Sequence, residues 1–288
     1  MNLETRLKPP IHWYGGKTLQ TKNILPYIPE HTCYVEPYGG SGAVLFAKEA
    51  CKVEIYNDLH KDVVNLYRVI RDHFEEFRNR IACTPYSRSD LDTAYMRLQL
   101  TRKFDTDVEV ARNFFVIARQ SFSGRHNVKP GWSVSKKTNH ATAWMNAIDG
   151  LAEVHNRLRT VCIECRPAIE VIRQYEDKET FMYLDPPYMK ETRKEEEAYA
   201  HEMTDNDHLE MLSTITRSDS MILLSGYHCD MYDDLLGDWR YKDFTANASA
   251  INTSASDADA KRTEVLWWND ELEVNRIGSQ QYLELEIE

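Results

Sequence analysis

The chain has 288 residues, 42% of them hydrophobic and 28% charged, the profile of a globular protein with one large core and a smaller module. No apolar run approaches the roughly 18 residues of a membrane span. Residues 1–6 lack the apolar stretch of a secretion signal, and six scattered cysteines fit a reducing, cytoplasmic setting. The formal net charge of −11 argues against nucleic acid until its distribution is considered. Between Glu109 and Asp149 there is no acid, while Arg112, Arg119, Arg125, Lys129, Lys136 and Lys137 stand there with His126 and His140. A basic segment in an acidic chain is the footprint of phosphate binding.

In chain order, Ile11-His12-Trp13-Tyr14-Gly15-Gly16-Lys17-Thr18 comes first. Its ending mimics a phosphate-binding loop, but that motif needs glycine where Ile11 stands, which counts against an ATPase. Thr32 to Glu36 predicts a strand, Pro37-Tyr38-Gly39-Gly40-Ser41-Gly42 a glycine-rich turn, and Ala43 to Ala47 a helix. That order opens a nucleotide-binding α/β unit. A second strand, Val53 to Tyr56, ends in Asn57-Asp58. An acid about 20 residues past such a turn can bond a ribose hydroxyl pair. Leu45 stands where the dinucleotide fingerprint has its third glycine, so a nucleoside cofactor without a diphosphate fits better than a dinucleotide.

Val63, Leu66, Ile70, Phe74, Phe77 and Ile81 recur at helical spacing and predict one long, core-facing helix. Further helices are expected near 90–100 and 107–120. They lead into the stretch from Phe122 to Trp132, which carries basic and aromatic side chains together as a groove-entering loop would. Residues 67–149 break the strand-helix alternation and read as an insertion. The alternation resumes with a helix near 142–158, the strand Val161 to Glu164, and a helix through Ile169 and Val171. Cys162 and Cys165 form a C-x-x-C, but on a strand they face opposite ways, so no metal site is expected. Residues 190–197 predict a solvated crossing, and Thr204 with Asp207 a helix cap. Met221 to Leu224 predicts a buried strand, 247–259 a flexible loop, and Val265–Trp268 and Tyr282–Leu285 the last strands.

The most informative stretch is Phe181-Met182-Tyr183-Leu184-Asp185-Pro186-Pro187-Tyr188. An apolar run halted by two prolines predicts a buried strand ending at a loop, and ligands bind at the carboxyl ends of such strands. Asp185 can accept a hydrogen bond from an exocyclic amine. Pro186, with fixed φ and no N–H, presents its carbonyl as a rigid second acceptor. Tyr188 offers a flat face for a heterocycle, worth about 1–3 kcal/mol for a nucleobase. Together they describe a pocket for a base that carries an amino group.

Taken together, these stretches resemble the Dam-type class of DNA adenine methyltransferases. Trp13-Tyr14-Gly15-Gly16-Lys17 resembles that family's amino-terminal cofactor motif, and Glu36 to Gly42 its methionine-binding turn. Asn57-Asp58 resembles its ribose-binding acid, and Asp185-Pro186-Pro187-Tyr188 its catalytic motif. Ser225-Gly226-Tyr227 and Arg262 to Trp267 resemble later family stretches. The resemblance implies an α/β fold: a Rossmann-like class I methyltransferase sheet of seven mostly parallel strands with an inserted, mainly helical target-recognition domain. Residues 1–66 and 150–288 would form the catalytic domain and 67–149 the insertion.

The cofactor implied is S-adenosylmethionine, lined by Trp13, Lys17, Glu36, Tyr38, Gly40, Asp58 and Asp185. Asp185, Pro186 and Tyr188 would hold the target adenine of double-stranded DNA. Arg119, Arg125, Lys129, Lys136 and Lys137 would contact phosphate, with no metal, no membrane, and a monomer or weak dimer acting in the cytoplasm. The sequence departs from the pattern at Pro167, where family members often carry an acid, and in loop 121–140, which lacks the Asn-rich pattern of GATC readers. The part of Ile163 to Ala168 in adenine-ring binding and the target sequence are thus left open. Cytosine N4, RNA adenine and protein amides present the same amine, and a DNA-binding regulator that no longer catalyses is the other alternative.

Overall fold

Strands β1 (Cys33–Glu36), β2 (Val53–Asn57), β3 (Val161–Glu164), β4 (Thr180–Leu184), β5 (Met221–Gly226), β6 (Arg240–Asn247) and β7 (Lys261–Trp268) form one sheet. The computed structural model describes residues 6–122, 131–192, 201–247 and 261–273. The strand order is β3-β2-β1-β4-β5-β7-β6. β1 pairs in parallel with β2 and β4, and β4 with β5, whereas β7 is antiparallel to β5 and β6. The expected α/β fold with a seven-stranded, mostly parallel sheet is therefore present. β4 and β5 are buried along their whole length, which explains why both are continuous apolar runs rather than alternating ones.

The helices in the first half of the chain are α1 (Thr21–Ile24), α2 (Ala43–Ala47), α3 (Lys61–Asp72), α4 (Phe74–Ala82), α5 (Arg88–Met96) and α6 (Asp107–Gln120). The rest are α7 (His140–Asp149), α8 (Leu151–Leu158), α9 (Ala168–Gln174), α10 (Asp205–Ile215) and α11 (Asp230–Leu235). None of the described helices is long and apolar enough to cross a membrane. The expected strand at 282–285, the loop at 247–259 and most of the crossing at 190–197 lie outside the described residues.

Two compact units divide the chain. The first comprises Met1–Leu19, Gly40–Lys48 and Asp58–Cys165. Its centre is α6, which packs on α3, α4 and α5 and buries Val108, Val110, Ala111 and the whole run Phe114–Ala118. A capping box starts α6: Thr106 Oγ1 accepts from the Glu109 N–H at 3.3 Å, and the Glu109 carboxylate accepts from the Thr106 N–H at 3.0 Å. Its buried end is polar but satisfied, since Gln120 donates to the Pro85 carbonyl at 3.0 Å and accepts from the Ser87 N–H at 3.1 Å.

The single helix expected from Val63 to Ile81 is two helices, broken at His73 with φ −129° and ψ 38°. The apolar spacing survives because the His73 N–H still bonds to the Val69 carbonyl and its own carbonyl to the Phe77 N–H. Periodicity therefore could not register the break. The helix expected near 142–158 likewise divides at Gly150, which has no side chain to hold either helix through the junction. Beyond α5 the chain loosens into a π-turn, Arg97–Thr101, and a 3-10 turn, Arg102–Phe104.

The second unit comprises Gln20–Gly39, Glu49–Asn57 and Arg166–Glu288. Its core joins Val35, Ile55, Met182, Leu184, Ile222, Leu224 and Trp267 of the strands to Val171, Ile172, Met211, Leu212 and Ile215 of α9 and α10. Truncating its middle tests that assignment. Leu224→Ala, at a fully buried β5 position, is expected to lower stability by about 2–5 kcal/mol, read as a shifted midpoint in urea unfolding.

Candidate active site

In the first unit, Trp13 to Gly16 make a tight turn. The Gly16 N–H bonds to the Trp13 carbonyl at 3.1 Å, and Gly15 sits at φ +73°, where a side chain would be strained. The Trp13 ring stands edge-on to His60 at 5.5 Å and to Phe114 at 6.4 Å. Gly40 (φ +49°) passes so close beneath it that a Cβ would lie 2.8 Å from Trp13 Nε1. The Gly40 N–H donates to Asp58 Oδ2 and the His60 N–H to Asp58 Oδ1, both at 2.7 Å. Trp13, Gly40 and Asp58 are thus brought together. Lys17 is buried, with Nζ 3.4 Å from the Gly15 carbonyl.

In the second unit, β1 ends in Glu36, whose buried carboxylate accepts from the Tyr34 hydroxyl at 3.0 Å. Burial, with Asp207 and Glu210 nearby, pushes the Tyr38 phenol well above its ordinary range, so it stays a neutral hydrogen-bonding group. Gly39 is required on steric grounds: a Cβ would lie 2.2 Å from the ring of Tyr56, itself fully buried. Asn57, at the end of β2, fastens this edge. Its amide donates to the carbonyls of Pro37 at 2.8 Å and Arg166 at 3.0 Å, and its oxygen accepts from the Arg166 N–H at 2.9 Å.

The carboxyl end of β4 carries the catalytic candidates. Tyr188, 8% exposed, folds back so that its hydroxyl donates to Asp185 Oδ1 at 3.2 Å. The Tyr227 ring meets it at 4.7 Å and 72°. Pro186 is buried between them in sequence, and Asp185 keeps partial exposure. Below the loop, Tyr183 and Ser225 share a buried hydroxyl hydrogen bond of 2.8 Å that joins β4 to β5.

The five phosphate-contact candidates are less uniform. Lys136 and Lys137 are exposed. Arg125, Lys129 and His126 lie outside the described residues. Arg119 is half-buried instead: it donates to the Ala143 carbonyl at 3.3 Å, and burial lowers its pKa to about 10 despite the opposing effect of Tyr86. Burial, then Arg119 and His140, bring the His12 pKa down to about 4, so that imidazole is neutral at ordinary pH. His12 is nonetheless exposed at the surface, so part of its ring stays open to solvent.

Three residues beyond the candidates shape the site. Asn57 was visible beside Asp58, but its partner Arg166 is 109 residues away. Tyr227 lay within Ser225-Gly226-Tyr227 without any signal that it meets Tyr188. His228 gave none: its Nδ1 lies 2.6 Å from Asp233 Oδ1 and its Nε2 3.2 Å from Asp243 Oδ1, a carboxylate at each nitrogen. Burial would lower its pKa, but the two carboxylates outweigh burial and raise it above 6.5.

The chain is similar to known proteins along most of its length. Residues 13–250 match the model of the D12 class N6 adenine-specific DNA methyltransferases. The chain is 27% identical over 186 residues to the type II methyltransferase M.CviBI of Paramecium bursaria Chlorella virus NC1A, covering 63% of this chain and 69% of that one. It is 25% identical over 281 residues to M1.LlaDCHI of Lactococcus lactis subsp. cremoris, covering 91% and 95%. A DNA adenine methylase of Salmonella typhi is 23% identical over 183 residues, covering 62% and 64%.

Two measurements test the local geometry. Gly39→Ala forces its Cβ into Tyr56, and a lowered urea midpoint with a loss of about 2 kcal/mol or more is expected. The second concerns pH. Because the folded pKa of His228 is raised, its contribution to stability is complete below the unfolded value of 6.5 and is lost as pH rises through the folded value. The difference in unfolding midpoint between wild type and His228→Gln is therefore expected to be largest in mild acid and to shrink in mild alkali.

Proposed function

The chain belongs to the D12 class of N6 adenine-specific DNA methyltransferases, and on that premise we propose how its own side chains serve methyl transfer to the adenine amine. The family implies a methyl donor of the S-adenosylmethionine type, which supplies an electrophilic sulfonium methyl when bound. The residues present fit such a group. The carboxylate oxygens of Asp58 each accept one backbone N–H and keep lone pairs for the two hydroxyls of a ribose. The Gly40 backbone is bare of side chain beside Trp13, and buried Lys17 offers a cation for a carboxylate. Glu36 and Tyr38 frame the turn, and Asp185 completes the cofactor-binding set.

The target adenine lies inside a duplex, so it is flipped out at a cost of a few kcal/mol. Phosphate contacts from Arg119, Arg125, Lys129, Lys136 and Lys137, in the target-recognition insertion 67–149, offset that cost. The Asp185 carboxylate and the Pro186 carbonyl then accept the two N6–H bonds. This aims the nitrogen lone pair along the line of transfer, so catalysis is chiefly positioning and electrostatics. The proton released from N6 passes to the Asp185 carboxylate. Stacking on Tyr188 needs its ring uncovered, and at 8% exposure that takes a shift of Tyr188 or Tyr227 as the base enters. All these groups belong to one chain, so a monomer or weak dimer acting in the cytoplasm suffices.

The observation that carries this reading is the Asp185–Tyr188 hydrogen bond at the end of a wholly buried strand, which holds the acceptor where ligands of α/β sheets bind. The experiment is transfer of labelled methyl from S-adenosylmethionine to unmethylated duplex DNA, followed by digestion to nucleosides. Label in N6-methyladenine is expected. Label in N4-methylcytosine, or in RNA alone, would replace the substrate proposed here. Asp185→Ala is expected to lower kcat by on the order of a thousandfold or more, with DNA affinity within about twofold of wild type. Near-normal kcat in that variant would remove Asp185 from the reaction.

A further inference from the structure

A groove of about 820 Å³ lies along α3 in the first unit, and no residue in its wall has a role in the reaction above. Lys61, Val64, Asn65 and Arg68 line it at i, i+3, i+4 and i+7, so they share one face of α3. Two helical turns, about 10 Å, separate the two cations along that face. The facing wall is the π-turn and the 3-10 turn after it, which bring in Leu100, Arg102 and Lys103. Single π-turns are frequent at functional sites.

Two of the cations in this groove, Lys61 and Arg68, are uncommitted, while Lys103 lies over the Phe104 ring at 4.9 Å. Four cations line it against two acids, Asp105 and Asp107. Asp105 is already engaged, 3.7 Å from Arg97 and 3.5 Å from the Asn113 amide. Arg102 pairs with Asp62. Lys61, Arg68 and Lys103 make no ion pair among the described residues, and Lys61 and Arg68 are exposed. Both line the groove, as does Cys165. In a chain of net charge −11, such a local excess of cations attracts an anionic partner.

We infer that this groove is a second DNA contact that takes the sugar-phosphate backbone of the substrate duplex. Lys61 and Arg68 neutralise two phosphates, Arg102 and Lys103 strengthen the local field, and exposed Leu100 packs against sugar. A polyanion fits better than a single small anion, because the cations are spread along two turns of helix instead of converging on one point. An acidic protein is less suited, because the reaction itself already brings a phosphate backbone to this chain. The inference rests on DNA as the substrate, but it concerns affinity and not chemistry.

The test compares wild type with Lys61→Gln/Arg68→Gln for binding to an unmethylated duplex of about 40 base pairs across a salt series. Losing two phosphate contacts is expected to make the slope of log affinity against log salt shallower by about 1.8. The KM for DNA is expected to rise on the order of tenfold at about 0.15 M salt, with kcat at saturating DNA unchanged. An unchanged kcat also certifies the fold. Lys52→Gln/Lys178→Gln removes the same charge from exposed positions in the second unit and is expected to leave the slope as in wild type. An unchanged slope in the α3 variant, an equal change in the control, or a fall in kcat without a rise in KM would each overturn the inference. So would loss of ATP binding with DNA binding intact, which would make the groove a small-anion site. The slope is read on binding alone, so wild type that binds DNA without methylating it counts against the proposed reaction and leaves the groove to be judged by its slope.

Discussion

The amide of one buried asparagine holds the carboxyl edge of the sheet in its working shape. Parallel strands end in backbone groups that have no further ladder to join, and at a buried edge each must find a partner. Asn57 supplies partners for two segments, accepting from and donating to Arg166 while donating to the Pro37 carbonyl. The Gly39 N–H closes the set on the Asn57 carbonyl at 2.8 Å. The start of the turn after β1, the end of β2 and the stretch after β3 are therefore one connected polar structure. Leaving such groups unpaired in the interior would cost about 1–3 kcal/mol each.

On this edge, the glycines and the aromatic rings are complementary solutions to one packing problem. Tyr56 fills the space that a side chain at position 39 would need, and Trp13 fills the space beside Gly40. Backbone is thereby exposed where a ligand must approach closely, while the protein keeps dense packing behind it. At the end of β4 the same economy appears with polar groups. Asp185 and Tyr188 satisfy one another across a proline pair whose fixed φ allows little alternative geometry. The Asp185 and Pro186 acceptors are preorganised in this way, so the covering rings of Tyr188 and Tyr227 are what must reorder when the base arrives, and fixed acceptors are where a reaction limited by alignment gains most.

The charge distribution follows a different logic from the core. The chain is acidic as a whole, which favours solubility and discourages indiscriminate binding to nucleic acid. Its cations are concentrated in the first unit. Some of them, such as Lys136 and Lys137, are exposed, whereas Arg119 is drawn in beside Ala143 and desolvated. A half-buried guanidinium gives direction to a contact, and a solvated ammonium gives reach. Together they can steer a duplex at long range and hold its register at short range.

The sequence by itself determined the local grammar of this protein. The apolar runs of β4 and β5, the strand-glycine-helix order around Gly39 to Gly42, the cap at Thr204 and the Asp185 to Tyr188 stretch were all legible. Each depends on neighbours within a few residues, where periodicity and proline or glycine chemistry act directly. Tertiary structure alone decided which distant groups meet. Arg166 reaches Asn57, Tyr227 covers Tyr188, His228 sits between Asp233 and Asp243, and the two cations of α3 face Arg102 and Lys103. The breaks at His73 and Gly150 also escaped the sequence, since the apolar spacing continues through both. Local pattern fixes which face of an element is buried. What is buried against that face depends on how the whole chain closes, and no short window of residues contains that information.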